Sequence, residues 1–363
     1  MREGEHRRGA SAPRRLSFDV NRQLSSSARR RPRAGAVVRR LARGEMARPS
    51  APRGKTVQKR APAAERGPDV VAGVRLSHPD RVLYPDQGLT KRDLAGFYHR
   101  INSWILPHIV ERPLSLLRCP EGQGKACFFQ KHAGTGVPEH LKPVMIQEEK
   151  ARREYLYVED ERGLISLAQM GVLEIHPWGS RVGSVDAPDR LIFDLDPGPG
   201  VSWSRIVAAA RAIRELLERV DLESFVKATG GKGLHVVVPL APRQDWTMLK
   251  DFSRAFALEL VRRSPREYTA TLSKSERTGK IFVDYLRNSR GATAVAAYST
   301  RARADAPVST PVSWSELGAG LRSDRFTVTN LEKRLDSIKK DPWAQFLKAR
   351  QSLPKALLRK LRA

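Results

Sequence analysis

From Val74 onward, apolar and polar residues fall into repeating patterns that specify strands and helices; the chain before it lacks them. Thr90 reads as an N-cap with Asp93 at the third helical position. It opens an amphipathic helix through Leu94, Phe97, Tyr98, Ile101 and Ile105, in a region closed by Pro107 and Pro113. Residues 114–117, 155–158 and 164–167 are short apolar runs of strand length. Residues 191–193 predict a buried strand that enters Asp194 and ends at the Pro-Gly-Pro-Gly run at 197–200. Between 206 and 220, Val207, Ala210, Ile213, Leu216 and Leu217 share one helical face. Residues 225–226, 235–238 and 281–283 predict further strands, and 248–261 another helix. This alternation points to an α/β or α+β body. From about Val312 the pattern predicts a helical, basic tail ending near Lys360, and no internal repeat is present.

Charge divides the chain further. Residues 1–70 hold 19 Lys/Arg against 6 Asp/Glu and few large apolar side chains, so they carry +13 of the total +27. Such a segment buries too little surface to offset its chain entropy and is expected to be disordered, either as a basic arm for DNA or as a tail without a role. Met46 is an alternative start that would remove residues 1–45. The expected division is therefore 1–70 as an extension, 71–320 as the catalytic body and 321–363 as the tail. The body stays basic, which favours a polyanionic partner. No run is apolar for the length of a membrane span, and the N-terminus lacks the apolar segment of a secretory signal, so a soluble cytoplasmic protein with no membrane partner is expected. Cys119 and Cys127 are the two cysteines. They are too few for a disulfide framework and suit a reducing compartment. With His132 they lack the spacing of a four-ligand zinc site, so they read as packing residues.

Chemistry concentrates in three places. Asp194 and Asp196 stand two apart on a strand, so their carboxylates share one face while Phe193 and Leu195 point to the other. Side-by-side acids repel unless a cation lies between them, and hard oxygen ligands suit Mg²⁺ or Mn²⁺. Asp284, in the apolar run 281–286, is a third acid that is costly to bury alone. Three acids on two strands are what two-metal nucleotidyl transfer requires, although an Asp-x-Asp before a turn is also an ordinary strand end. Next, Thr-Gly-Gly-Lys-Gly-Leu-His at 229–235 sets a glycine-rich loop between two strands, with the Thr229 hydroxyl and Lys232 charge available to phosphates. It lacks the Walker A spacing, and a plain tight turn is the alternative. His176 sits in an apolar stretch, as a structural histidine or a site residue. Phe128 and Phe129, flanked by Lys125 and Lys131, suit base stacking or a core. Arg287 and Arg301 suit a phosphate clamp or an ordinary surface.

Four segments together resemble a known family. They are Leu-Ser-His-Pro-Asp-Arg-Val-Leu-Tyr-Pro (76–85), Phe-Asp-Leu-Asp-Pro-Gly (193–198), Thr-Gly-Gly-Lys-Gly-Leu-His (229–235) and Val-Asp-Tyr-Leu-Arg-Asn (283–288). In this order they resemble the polymerase domain of bacterial DNA ligase D, in the archaeo-eukaryotic primase superfamily, from about Val74 to Leu317. The resemblance implies a primase-polymerase fold: a mixed central β-sheet with an RRM-like catalytic core flanked by helices. It implies a nucleotidyltransferase that fills gaps and extends ends at double-strand breaks in non-homologous end joining. Such an enzyme prefers ribonucleotides, works with two Mn²⁺ or Mg²⁺ ions and cooperates with a Ku-like end-binding protein. Asp194, Asp196 and Asp284 match its metal ligands. His176, Thr229, Lys232, His235, Arg287 and Arg301 match positions around the incoming nucleoside triphosphate. Phe128 and Phe129 match the pair that meets the template, beside Lys131. Arg81 and Lys91 match the pocket for the 5′-phosphate of a gapped duplex.

Thr229 stands where many relatives have serine, and Arg81 where lysine also occurs; hydroxyl and cation are kept. The 363 residues contain no Lys-x-Asp-Gly adenylation motif. A stand-alone polymerase, served by a separate DNA ligase and working on DNA in the nucleoid, is therefore expected. The rival readings are a primase that starts chains de novo and a non-catalytic DNA-binding module.

Overall fold

The computed structural model describes residues 69–354. The expectations for the N-terminal extension, Met46 and Lys360 lie outside them. Two short hairpins come first, β1 (Val70–Val71) with β2 (Val74–Arg75) and β3 (Val82–Tyr84) with β4 (Leu89–Thr90). Thr90 then caps α1 (Lys91–Arg100) by accepting from the Asp93 amide, while the Asp93 side chain accepts from the Thr90 amide, completing a capping box. The helix expected to continue to Ile105 instead breaks at Ile101, and α2 (Asn102–Ile109) restarts with Pro107 inside it. The apolar stripe survives the break: Leu94, Phe97, Tyr98, Ile101 and Ile105 are all buried.

One sheet comprises β5 (Leu114–Arg118), β6 (Phe128–Gln130), β7 (Lys142–Gln147), β8 (Arg152–Tyr157) and β9 (Val172–Pro177), with β5 between β6 and β9. The apolar run 164–167 is not a strand. It lies in α3 (Glu161–Gln169), whose cap Asp160 accepts from the Gly163 amide at 3.0 Å. A short, fully buried run carries no period that tells strand from helix, and the cap decides it here.

The second sheet carries the acids. Its strands are β10 (Arg190–Pro197), β11 (Phe225–Ala228), β12 (Leu234–Pro239), β13 (Tyr268–Thr269), β14 (Ile281–Asp284) and β15 (Thr310–Val312), ordered β13-β14-β10-β12-β11-β15. All pairs are antiparallel except β13–β14, so the sheet is mixed. Alternation gives it two unlike faces. Phe193, Leu195, Val226, Val236, Val238 and Val283 pack in one core with α4 (Trp203–Glu218) and α5 (Trp246–Arg263). Ile192, Phe225 and Val237 point the other way, into the core shared with α1 and β5. On that second face, strand register lines up Lys227, His235, Asp194 and Asp284 across four neighbouring strands.

The segment after Val312 differs from a helical tail. It holds one helix among the described residues, α6 (Leu331–Ser337), and Trp343, Phe346 and Leu353 are buried in the body. The two cysteines also differ from free packing residues: Cys119 and Cys127 form a disulfide. Eight residues apart, they meet because the chain turns back between β5 and β6, a proximity that count alone does not reveal. Among the described residues, no helix is long and apolar enough to cross a membrane.

Candidate active site

Asp194 and Asp284 are direct partners on antiparallel strands, and Asp196 follows on the same face of β10. Ligand oxygens of all three lie within 4.8 Å of one another. Asp194 and Asp284 are buried, and Asp196 is half-buried. Burial pushes the Asp196 carboxyl up to about 6, reinforced by the charge of Asp194. Burial raises Asp284 too, against the pull of Arg287. Burial would also raise Asp194, but His235 and Arg287 outweigh it and hold this carboxyl below the usual range. Two acids that resist ionisation beside one that is charged form a donor set short of positive charge. Three hard oxygen ligands at this separation fit divalent Mg²⁺ or Mn²⁺. Arg287 supplies part of that charge: its Nε lies 3.2 Å from a carboxylate oxygen of Asp194 and 3.2 Å from one of Asp284.

His235 is fixed by its place opposite Asp194, with Nε2 3.2 Å from Asp194 Oδ1. Burial, then the neighbouring Lys227, lower its pKa to about 4. Its Nδ1 is buried without a partner.

The glycine loop folds over the end of β10. A Cβ on Gly233 would lie 2.0 Å from the Leu195 carbonyl oxygen, so this approach admits only glycine. The loop encloses one side of a cavity of about 290 Å³ lined by Asp194, Asp196, His176, Thr229, Lys232, His235, Arg287 and Arg301. Every residue predicted for the nucleotide therefore converges there, but Thr229 differs in detail. Its hydroxyl donates to the Gly233 carbonyl at 3.0 Å and accepts from the Gly231 amide at 3.3 Å, so it shapes the loop from within.

Arg277 and Arg303, which sequence reasoning missed, also line the cavity. So was Glu174, which organises one wall. Its carboxylate accepts from His176 Nε2 at 2.8 Å and the Ala302 amide at 3.0 Å, and Arg301 Nε lies 3.1 Å away. Burial opposes its charge, but His176 and Arg301 prevail and bring it down to about 2. An acid two residues before a histidine on a strand was the available signal. Lys227 was missed as well; its buried Nζ donates to the Val295 carbonyl at 2.9 Å and Ser309 Oγ at 2.6 Å.

The residues predicted for DNA lie outside the cavity lining. Phe128 and Phe129 are 47% and 61% exposed, which excludes the core alternative, and the Phe129 ring meets His176 edge-on at 5.6 Å. Lys131 is exposed on the same stretch. Arg81 and Lys91 are adjacent, the Lys91 amide donating to the Arg81 carbonyl at 2.8 Å. Lys91 is buried, its Nζ donating to Ser77 O at 2.7 Å, and Arg81 reaches Glu121 at 3.0 Å.

A mixed sheet that presents three acids beneath a pocket lined with arginines and lysine is the fold and site of a DNA-directed nucleotidyltransferase. The family described as LigD, primase-polymerase domain, matches residues 90–343. The chain is 40% identical over 296 residues to the multifunctional non-homologous end joining protein LigD of Pseudomonas aeruginosa, covering 80% of this chain and 35% of that protein. It is 35% identical over 246 residues to LigD of Mycolicibacterium smegmatis, covering 67% and 32%. The solved polymerase domain from Mycobacterium tuberculosis ligase D in complex with DNA matches with a TM-score of 0.71 and 30% identity, over 77% of this chain and 99% of that one. The chain belongs to the LigD primase-polymerase family. It spans about a third of the length of the curated relatives it matches.

Proposed function

We propose that the protein adds nucleotides to the 3′ ends of broken DNA, filling gaps before the ends are sealed in non-homologous end joining. The observation that carries this reading is the cluster of Asp194, Asp196 and Asp284, the first two of which line one cavity with Lys232, Arg287 and Arg301. The primer 3′-hydroxyl attacks the α-phosphorus of the incoming triphosphate; a P–O bond forms, the bond from that phosphorus to the oxygen bridging to the β-phosphate breaks, pyrophosphate leaves, and the hydroxyl proton passes to solvent. Asp194, Asp196 and Asp284 would hold two Mn²⁺ or Mg²⁺ ions, which, when bound, lower the pKa of the attacking hydroxyl and neutralise the triphosphate. Lys232, Arg277, Arg301 and Arg303 meet the phosphates in a pocket whose backbone is already folded. His235 and His176 complete the polar wall facing the nucleotide and its sugar.

Phe128 and Phe129 offer exposed faces on which template bases stack at the break, with Lys131 beside the backbone. Arg81 and Lys91 receive the 5′-phosphate of the downstream strand. A ribonucleotide preference, a Ku-like end-binding partner, a ligase that seals the product and a cytoplasmic, nucleoid-associated location belong to the same reading.

Primer extension on a gapped duplex tests it. Incorporation with Mn²⁺ should rise when the downstream 5′ end carries phosphate in place of hydroxyl. Equal extension of both would favour a chain-starting primase, and binding without incorporation would favour a DNA-binding module.

A further inference from the structure

Ser323 lies beyond the region expected to form the catalytic body, yet its bonds all reach the glycine loop. It is 4% exposed. Its carbonyl accepts from the Gly230 amide at 3.0 Å, its Oγ donates to the Gly233 carbonyl at 2.7 Å, and the same Oγ lies 3.2 Å from Thr229 Oγ1. Both ends of the loop that carries Lys232 are thus pinned to one residue 90 positions further on.

The chain around Ser323 also holds the segment that carries Arg301. The Val308 amide donates to the Phe326 carbonyl at 2.7 Å, and the Val328 amide to the Ala306 carbonyl at 3.0 Å. The 306–308 segment in turn accepts, through the Pro307 carbonyl, from the Arg301 amide at 2.8 Å. Arg301 closes the circuit by donating from Nη1 to the Thr229 carbonyl at 2.6 Å. The fit is tight: Gly230 has φ +68°, and a Cβ there would lie 2.8 Å from Arg301 Cγ. Glycine loop, Ser323 segment and Arg301 loop therefore form one closed ring of hydrogen bonds around a side of the cavity.

We propose that Ser323 is a positioning residue for the incoming triphosphate: it fixes the glycine loop, and with it Lys232, relative to Arg301. This rests on the nucleotidyl-transfer reading above. Ser323 touches neither the acids nor the DNA face, so its contribution falls on nucleotide binding alone. A pocket whose phosphate ligands are held in register binds without first ordering them.

The test is steady-state extension of a gapped duplex by the full chain with Mn²⁺ and varied ribonucleotide. Ser323→Ala should raise the nucleotide KM roughly five- to tenfold, as loss of a buried hydrogen bond implies, with kcat and the Kd for DNA within about twofold. Ser323→Thr, which keeps the hydroxyl, should restore most of the KM. A merely structural role would lower the melting temperature and leave the KM of the folded enzyme unchanged; that result overturns the proposal, as does an equal rise in nucleotide KM and DNA Kd. Should Ser323→Ala fail to fold, Ser323→Cys, of similar size but a weaker donor, carries the same readout, and a wild-type KM in it overturns the proposal. An active wild type with an unshifted variant sinks this inference alone, whereas an inactive wild type sinks the nucleotidyl-transfer reading beneath it.

Discussion

Asp194 and Asp284 face each other directly across the β10–β14 pair, and the Arg287 guanidinium lies within 3.2 Å of both. Strand register, more than sequence proximity, therefore sets the distance between the two acids. Their mutual repulsion is balanced by a side chain from the turn just after β14.

That balance makes Arg287 an internal cation whose loss should be felt first by the metal-free protein. Arg287→Ala should lower the melting temperature in EDTA, at a cost of about 1–2 kcal/mol once its partial exposure is discounted. Added Mn²⁺ should then raise the melting temperature more in the variant than in the wild type. Equal Mn²⁺ stabilisation of both proteins would contradict this role.

Asp196 has a pKa near 6 in the folded chain against an ordinary 3.8. Between about pH 4 and 6 the folded state holds a proton that the unfolded state has released. The contribution of this group to stability therefore falls as pH rises through that window and is least favourable above it. Metal-free Asp196→Asn should accordingly be more stable than wild type at pH 7.5, by on the order of 2 kcal/mol, with the difference vanishing near pH 4. Denaturant melts in EDTA at both pH values check this; a variant less stable than its parent at pH 7.5 would refute it.

Phe128 and Phe129 contribute little to the core at 47% and 61% exposure. Phe128→Ala and Phe129→Ala should leave stability within about 0.5 kcal/mol of wild type. Binding to gapped DNA or to paired ends should weaken roughly tenfold for each, the scale of one lost base stack. Fluorescence anisotropy with labelled duplexes measures it, and an unfolded variant or unchanged binding counts against stacking.

Much of this site was legible because β-strand alternation is rigid. Once residues 193–196 are a strand, Asp194 and Asp196 must share a face and Phe193 and Leu195 the other, as observed. The Thr90 N-cap with Asp93 three residues on was legible too, being a purely local pattern, and the structure completes it as a capping box. What escaped depends on long-range contact. Glu174 matters through Arg301, Lys227 through Val295 and Ser309, and Ser323 through the glycine loop, and no window of sequence joins those partners. Run 164–167 was misassigned because a fully buried segment loses the polar half of its pattern. Thr229 was placed in the right loop, but its hydroxyl turned out to serve the loop itself.

The proposed function rests nucleotide addition on the three aspartates, and Asp194 is the acid that touches both His235 and Arg287. The most direct measurement compares wild type with Asp194→Ala on a 5′-phosphorylated gapped duplex, with ribonucleotides and Mn²⁺, reading incorporation and DNA affinity on the same preparations. Incorporation should fall at least about a thousandfold, equivalent to roughly 4 kcal/mol of transition-state stabilisation, with the DNA Kd within about twofold. Incorporation by Asp194→Ala within tenfold of wild type would contradict it.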